Sequence, residues 1–402
     1  DGKNSEVMNI MPLDDKLEAF GFNVININGH SFDDILSAFE KARECKGRPS
    51  AIIANTVKGK GVSFMENEVS WHGKSCNAEE EKIAWRKLVD MDMIATREAY
   101  GKKLVEIGKN NDKLVVMDAD LSGSTKTSLF AKEFPDRFFN MGIAEQNMYG
   151  AAAGFAAVGK VVCASTFAMF ATGRAFEVIR NSIGASNLNV KVCATHSGIT
   201  VGEDGASHQT FEDIALMRTI PTMKVICPGD AISAGKLVQN AIDLEGPVYV
   251  RLGRSKIPVI YGDEDTFEIG KAKVLKKGKD ITFIATGIMV NEMLKADEEL
   301  EKLGVSCTLI DMHTIKPLDI DTILNESENT KGIVTCEEHS IIGGLFSAVS
   351  ESLAPYGNKK IRAVAQMDTY GESGKPDLLR EKYGLTSEHI VKEALAIINT
   401  DK

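Results

Sequence analysis

The sequence predicts an α/β protein in which parallel β-sheets are covered by helices. Short β-branched runs alternate with helical stretches along most of its 402 residues, as is typical of parallel strands joined by helices. The strands are continuous apolar runs, which is expected where both faces of a sheet are buried. Hydrophobic residues make up 43% and charged residues 26% of the chain, and this mixture excludes a disordered or collagen-like protein.

The individual elements follow in chain order. Runs rich in β-branched residues predict strands at Ser50–Thr56, Lys113–Asp118, Val161–Ser165, Val190–Thr195, Lys224–Pro228, Val248–Leu252, Ile281–Thr286, Cys307–Asp311, Gly332–Cys336 and Lys360–Val364. Apolar periodicity predicts helices at Ser31–Ala42, Met93–Asn110, Ala144–Val158, Ala175–Ile183, Ala231–Asp243 and Val290–Leu303.

These elements predict three blocks and a linker. Residues 1–77 hold one predicted strand and one predicted helix, too little to close a sheet, so this block is expected to be the tail of a larger domain. The charged stretch 78–90 predicts a linker helix. Residues 91–262 have enough elements for one α/β domain, and residues 263–402 form a second one after a polar stretch.

Charge and cysteine content narrow the class of protein. The net charge of −10, from 47 basic and 57 acidic residues, argues against a nucleic-acid partner, which requires a basic face. Apolar runs such as Ala151–Val158 are too short to cross a membrane, and no secretory leader is expected. The seven cysteines are odd in number and show no CxxC spacing. We therefore expect reduced thiols in a cytoplasmic protein.

Glu145 stands at the start of a helix that is rich in glycine and alanine. Such a helix has little side-chain bulk, so another backbone can approach it closely. Two interpretations of Glu145 remain open. It is either a first-turn carboxylate favoured by the helix dipole, or a buried carboxyl group that shares a proton with a nitrogen of a ligand.

Other polar and aromatic residues follow predicted strands, where parallel sheets place their sites. His196 and His208 lie in one glycine-rich loop after the strand Val190–Thr195, with no spacing that indicates a metal site. Phe167 and Phe170 follow another strand and are interpreted either as core or as a platform for a flat ring. Arg97, Ser124 and Arg254 matter only if the fold brings them together.

Taken in order, these stretches resemble the transketolase family of thiamine-diphosphate enzymes over essentially the whole chain. The resemblance depends on Lys58-Gly59-Lys60-Gly61, Trp71-His72-Gly73, Ala95-Thr96-Arg97, Asp118-Ala119-Asp120-Leu121, Gly142-Ile143-Ala144-Glu145-Gln146, the run Gly202–Gln209, Lys316-Pro317 and Glu337-Glu338-His339. It implies a remnant of the diphosphate-binding (PP) domain at 1–77, a pyrimidine-binding (Pyr) domain at 91–262 and the family's C-terminal domain at 263–402.

The sequence departs from the family at its start. The family's diphosphate and metal motif begins with Gly-Asp-Gly, and this tripeptide is absent here. The resemblance therefore implies an N-terminally truncated enzyme or one piece of a split enzyme, with the Mg²⁺ ligands in the absent segment and no metal ligand in this chain. Met91–Arg97 resembles the start of the second polypeptide of split members of the family.

The resemblance also implies roles for individual residues. Glu145 hydrogen-bonds the pyrimidine nitrogen of thiamine diphosphate. The other residues matched to the cofactor are Asp120, Leu121, Phe167 and Phe170. Those matched to substrate proton transfer are His72, His196 and His208. Those matched to the sugar phosphate are Arg97, Ser124, His196, Asp204, His208 and Arg254, with arginine suited to bidentate binding of phosphate.

The implied reaction moves a two-carbon ketol unit from a ketose phosphate to an aldose phosphate through a cofactor carbanion. Because the family site lies between subunits, the resemblance implies a homodimer, or a heteromer with an N-terminal transketolase piece. The alternatives are 1-deoxyxylulose-5-phosphate synthase, the β subunit of a 2-oxo-acid dehydrogenase and a catalytically silent dimerisation subunit. The motifs at Lys58–Gly61 and Trp71–Gly73 argue against the β subunit.

Overall fold

The computed structural model describes residues 7–62, 64–77, 80, 93–357 and 359–399. The chain divides into two compact units, Asp1–Asp90 and Met91–Lys402. The linker helix predicted at 78–90 lies outside the described residues, apart from Glu80. Within the described ranges, no helix is both long and apolar enough to span a membrane.

The first unit contains a two-stranded parallel sheet flanked by helices. Its elements are α1 (Leu13–Ala19), β1 (Asn23–Asn28), α2 (Phe32–Glu44), β2 (Ser50–Asn55) and a 3-10 turn at Val69–Trp71. The strands pair in register from Asn23↔Ser50 to Asn28↔Asn55. The sequence prediction of one strand and one helix in this block was wrong. It missed β1, which alternates polar and apolar residues, and it missed α1, which has no buried residue.

The second unit begins with a seven-stranded sheet. The elements of this region are β3 (Met93–Ile94), α3 (Thr96–Gly108), β4 (Leu114–Asp118), α4 (Ser122–Thr125), α5 (Ser128–Glu133), β5 (Phe138–Asn140), α6 (Glu145–Ala157), β6 (Val161–Phe167), α7 (Phe176–Val178), β7 (Val190–Thr195), α8 (Asp213–Arg218), β8 (Lys224–Ile226), α9 (Ala231–Asp243), β9 (Val248–Arg251) and β10 (Ile257–Pro258). Strands β3 and β10 form a separate antiparallel pair.

A five-stranded sheet follows. Its region contains β11 (Lys273–Lys276), β12 (Ile281–Ala285), α10 (Met289–Lys302), β13 (Cys307–Asp311), β14 (Thr314–Lys316), α11 (Ile320–Ser327), β15 (Ile333–Ser340), α12 (Leu345–Leu353), β16 (Ile361–Gln366), α13 (Pro376–Lys382) and α14 (Ser387–Ile398). The strand order is β11-β13-β12-β15-β16, parallel except for the β11–β13 pair.

The larger sheet has the order β14-β8-β9-β7-β6-β4-β5 and is parallel except at β14. Residues of β4 alternate between two cores: Val115 and Met117 pack on one face, and Leu114 and Val116 on the other. This two-sided burial confirms the predicted class of helix-covered parallel sheets. Strand β14 was not predicted. It belongs to the C-terminal region but pairs with β8 of the Pyr-region sheet. Backbone hydrogen bonds therefore join the two regions.

The segment after β6 differs from the prediction. We expected a continuous α-helix at Ala175–Ile183, but this segment contains the short α7 followed by a π-helical turn at Ile179–Gly184. Another π-helical turn precedes α7, at Phe170–Arg174. The wider π turn changes the direction in which side chains leave the helix, and such turns are frequent at functional sites. Here the π turn sets the position of Arg174.

Candidate active site

The candidate residues of the second unit collect at the carboxyl ends of neighbouring parallel strands. Asp120 follows β4, Phe167 ends β6, His196 follows β7 and Arg254 follows β9. These strands are neighbours in the order β9-β7-β6-β4. Open α/β sheets bind ligands at this edge. The arrangement therefore defines one continuous candidate site.

Glu145 is the first residue of α6 and is almost completely buried, with 1% of its surface exposed. Its Oε2 accepts a hydrogen bond of 2.8 Å from Nη1 of Arg174. The Arg174 side chain is 48% exposed, and its guanidinium carbon lies 5.0 Å from the centre of the Phe170 ring. The planar guanidinium of Arg174 thus contacts both the buried carboxylate of Glu145 and the face of the Phe170 ring.

Four rings pack together beside this carboxylate. The rings of Phe167 and Phe170 are stacked with centres 6.0 Å apart, and Phe167 stacks on His196 at 3.8 Å. His208 meets the edge of Phe170 at 5.3 Å. The rings bring two phenylalanines together with two histidines that lie at least 26 positions further along the chain. They form an aromatic wall of the kind that holds a flat ligand.

His196 is neutral in this environment. Burial, followed by the positive charges of Arg97 and Arg254, lowers its pKa to about 3. Its Nε2 lies 3.3 Å from Nη1 of Arg97, and its Nδ1 lies 2.8 Å from the hydroxyl of Thr195. Arginine only donates, so Nε2 must accept and Nδ1 must carry the hydrogen. His196 therefore presents one defined tautomer.

Arg97 and Arg254 provide positive charge next to His196. Arg97 donates to the carbonyl oxygen of Ser124 at 2.8 Å, and its buried Nε has no hydrogen-bond partner among the described residues. Burial, and then the charge of Arg254, lower the pKa of Arg97. Arg254 bonds the carbonyl of Val201 and the carboxylate of Glu203. Two partly buried guanidinium groups in mutual repulsion favour an anionic ligand between them.

The loop after β4 is fixed by polar groups. The backbone N–H of Asp120 donates to Asn140 at 3.1 Å, and the Asn140 amide donates back to the Asp120 carboxylate at 3.1 Å. The backbone N–H of Leu121 donates to the carboxylate of Asp118. The same buried carboxylate accepts hydrogen bonds from two hydroxyls, those of Thr125 and Thr127, at 2.7 and 2.9 Å. Asp120 itself has a positive φ of 64°, which these contacts hold in place.

A residue from the C-terminal region holds the loop that carries His196. Glu338 on β15 accepts a hydrogen bond of 2.7 Å from the backbone N–H of Thr200. Gly198 has φ 77°, and a Cβ added there would lie 2.2 Å from the Glu338 carboxyl carbon. Only glycine allows this close approach. Glu338 belongs to the motif Glu337-Glu338-His339. The sequence did not predict its contact with Thr200, because the two residues are 138 positions apart.

The structure does not bring every predicted site residue together. In the part of the chain that the structure describes, Asp204 is exposed and has no ring or ion-pair contact with the cluster. Ser124 contacts Arg97 through its backbone carbonyl oxygen. His72 is exposed and lies in the first unit, after the turn Val69–Trp71. The described residues contain no cluster of three or more potential metal ligands.

Comparison with known proteins connects this geometry to a family. Residues 92–259 match the model of the transketolase pyrimidine-binding domain, and residues 270–390 match the transketolase C-terminal domain. Residues 1–105 match the transketolase thiamine-diphosphate-binding domain. The fold and these matches thus define an α/β protein of the thiamine-diphosphate-binding class.

Individual relatives agree. The chain is 53% identical over 302 residues to a putative transketolase C-terminal section of Methanocaldococcus jannaschii, covering 74% of this chain and 95% of that one. It is 36% identical over 422 residues to transketolase of Homo sapiens, covering 95% of this chain and 67% of the human one. The chain therefore belongs to the transketolase family, and it spans about two thirds of the length of the longer transketolases.

Solved structures give the same result. A structure described as "Split gene transketolase, inactive beta4 tetramer" has a TM-score of 0.72 and 51% sequence identity, and the match covers 77% of this chain and all of that one. Transketolase from Campylobacter jejuni has a TM-score of 0.66 over 98% of this chain and 70% of that one. At 23% identity, the second match shows the fold alone.

The residues present suit the pyrimidine part of thiamine diphosphate. Arg174 presents a flat N–H donor to the carboxylate of Glu145 and lies over the face of Phe170. An aminopyrimidine is likewise flat and has nitrogen atoms at its edge, so the guanidinium acts as a stand-in for it. The described residues offer no comparable set of acidic ligands for Mg²⁺.

Proposed function

We propose that this chain provides the pyrimidine-binding and substrate-binding part of a transketolase. The reaction transfers a two-carbon ketol unit from a ketose phosphate to an aldose phosphate. The observation that supports it best is the buried Glu145, which Arg174 links to the face of the Phe170 ring. The partly buried Arg97, which feels the charge of Arg254, adds the cations that a sugar phosphate requires. When bound, thiamine diphosphate supplies the carbon nucleophile that carries the two-carbon unit.

We further propose that Glu145 holds a proton and donates it to the pyrimidine nitrogen. Burial of the side chain excludes water from this contact, which strengthens it. Phe167 and Phe170 pack against the ring, and the Asp120–Leu121 loop contacts the cofactor. These assignments follow the family pattern, and the local geometry described above supports them.

The substrate assignments use the cluster of cations. Arg97 and Arg254 bind the sugar phosphate, and Ser124 lies beside it. His196 and His208 exchange protons with substrate hydroxyls, together with His72 of the first unit, and Asp204 binds a hydroxyl. His196 enters this exchange as a neutral imidazole, because burial lowers its pKa to about 3.

The test of the function is the choice of donor. The chain is assembled with an N-terminal piece, meaning a polypeptide that carries the rest of the thiamine-diphosphate-binding domain, and is supplied with Mg²⁺. We expect turnover of a ketose phosphate with an aldose phosphate acceptor. Turnover of pyruvate in place of the ketose phosphate would instead indicate 1-deoxyxylulose-5-phosphate synthase.

The first unit supports the proposal of such a partner. Phe32, Leu36 and Phe39 lie on one face of α2 and are 82%, 61% and 53% exposed. Among the described residues, the parallel sheet of this unit has only two strands, and parallel sheets are normally covered on both faces. We propose that the N-terminal piece covers this face and supplies the Mg²⁺ and diphosphate ligands. Leu36→Asp should then weaken assembly in analytical ultracentrifugation, whereas Lys41→Asp at the other end of the helix should have a smaller effect.

A second proposal concerns this chain alone. The split-gene relative was solved as an inactive tetramer, which favours a catalytically silent assembly in the absence of a partner. Titration of this chain with thiamine diphosphate and Mg²⁺ should then release no binding heat. Tight binding would contradict this second proposal.

We also propose a homodimer of the second unit through α6. Gly150 and Gly154 are exposed, and a Cβ added at either would meet no atom within 4 Å. Ile143 and Val158, which flank the two ends of α6, are each 77% exposed. Gly150→Leu should shift the dimer towards monomer in light scattering.

We propose a cytoplasmic location for the protein, which its seven free thiols support, and no nucleic-acid partner.

A further inference from the structure

The ion pair between Arg174 and Glu145 conflicts with the proposed task of Glu145. In the 2.8 Å ion pair, Oε2 of the Glu145 carboxylate accepts from the guanidinium of Arg174. Donation to a ring nitrogen requires the same carboxyl group to hold a proton. The guanidinium also covers the face of Phe170 on which a ring would pack. The two states are therefore mutually exclusive.

We propose that Arg174 is a displaceable counter-ion: the aminopyrimidine ring of thiamine diphosphate takes its place against Glu145 and Phe170, and Glu145 gains one proton as Arg174 moves into solvent. This inference rests on the proposed function. The exchange is balanced, because the ion pair and one proton from solvent become a neutral carboxyl–ring contact and a hydrated guanidinium. The complex holds one additional proton whether the carboxyl or the ring nitrogen carries it.

The surroundings of Glu145 explain why the proton is needed. Tyr149, one turn further along α6, is buried, and burial raises its pKa well above the usual range, so it stays neutral. Glu145 and Asp118, which lies on β4, both raise the pKa of Tyr149 electrostatically. Burial raises the pKa of Asp118 itself. Arg174 is the cation bonded to Glu145. Once it leaves, a charged Glu145 would be buried without an opposite charge, which is strongly unfavourable.

The arginine side of the pair is able to leave the contact. Half of the Arg174 side chain is exposed, so its charge stays hydrated when the contact breaks, and the cost falls on the buried Glu145. Its described contacts are the Glu145 carboxylate and the face of Phe170. The π turn Phe170–Arg174 places it at the edge of the site, from which the side chain reaches solvent by rotation.

The test is calorimetric titration of thiamine diphosphate, with Mg²⁺, into the chain assembled with the N-terminal piece at pH 8. Titrations in phosphate and Tris, which have different ionisation enthalpies, give the number of protons taken up. We expect about one proton for the wild-type assembly and an affinity that falls about tenfold for each pH unit above neutral. For Arg174→Met we expect uptake close to zero and a nearly flat pH dependence, because this variant has no guanidinium at Glu145 for the ring to displace.

Two further variants complete the design. Arg180→Met removes an exposed arginine from the next π turn and should behave as wild type. Arg174→Lys keeps the charge and should restore the uptake. Equal uptake by wild type and Arg174→Met would overturn the inference while leaving the proposed function intact. Absence of binding by the wild-type assembly would overturn the proposed function and, with it, the inference.

Discussion

Arg251→Met should strongly destabilise the second unit. Arg251 on β9 is buried, and its guanidinium donates to the buried carboxylate of Asp213 through two nitrogens, at 2.7 and 3.2 Å. It also donates to the carbonyl oxygen of Glu338 at 2.9 Å, so it joins the Pyr and C-terminal regions. Methionine fills most of the space but leaves the Asp213 carboxylate without its guanidinium, although the hydroxyl of Tyr249 still donates to it at 2.6 Å. Removal of one partner of a buried pair costs about 3–5 kcal/mol.

This free energy converts into a shift in melting temperature. An unfolding entropy of about 2.1 cal/mol/K per residue gives the roughly 310 residues of the second unit about 0.65 kcal/mol/K. We therefore expect the melting temperature to fall by about 5–8 °C in differential scanning calorimetry. Arg362→Met, which removes a half-exposed arginine from its pair with Glu393, is the matched control and should lower it by less than about 2 °C.

A double variant separates lost charge from lost packing. Asp213→Leu combined with Arg251→Met removes both charges, and it should recover part of the loss because no unpaired carboxylate remains. A shift below 2 °C for Arg251→Met alone would refute the assignment of this pair as a buried link between the two regions.

Three further predictions follow from the described geometry. Burial raises the pKa of Asp311 to about 7. The folded state therefore binds the Asp311 proton more tightly than the unfolded state does. The resulting stabilisation of the folded state is complete at low pH and is lost as the pH rises through 7. Between pH 5 and 8 the wild type should lose roughly 3 kcal/mol of stability relative to Asp311→Asn in urea titrations. Arg97→Ala should raise the KM for the sugar phosphate about 10–100-fold with a smaller change in kcat, since a charge-assisted contact is worth about 1.5–3 kcal/mol. A thiol reagent should label Cys45 and Cys76 rapidly in the native chain and the five buried cysteines only after unfolding.

Much of the fold was predictable because burial on both faces produces continuous apolar runs. The bounds of β7, β13 and α9 agree with the predicted segments at both ends. Short strands such as β5 and β14 were missed, since three residues carry no readable period. Strand β14 is also placed by pairing with β8, almost 90 positions earlier, and a local pattern contains no information about such a contact.

The site was predictable only in part. Residues that follow parallel strands were expected to lie together at the carboxyl ends of those strands. The rings of Phe167, Phe170, His196 and His208 do lie together there. The partner of Glu145 was not predictable, because the direction of the Arg174 side chain depends on a π turn that resembles an ordinary helix in sequence. The roles proposed for all of the site residues, including His72, Ser124 and Asp204, stay predictions.

The most direct test of the account is the ketol-transfer rate of Glu145→Ala in the assembly with the N-terminal piece. Glu177→Ala, at an exposed position close by in α7, is the control for folding and assembly. Loss of a positioned proton donor should lower turnover by about 10²–10⁴-fold at saturating cofactor. Turnover within threefold of wild type would show that the buried carboxyl group takes no part in the reaction.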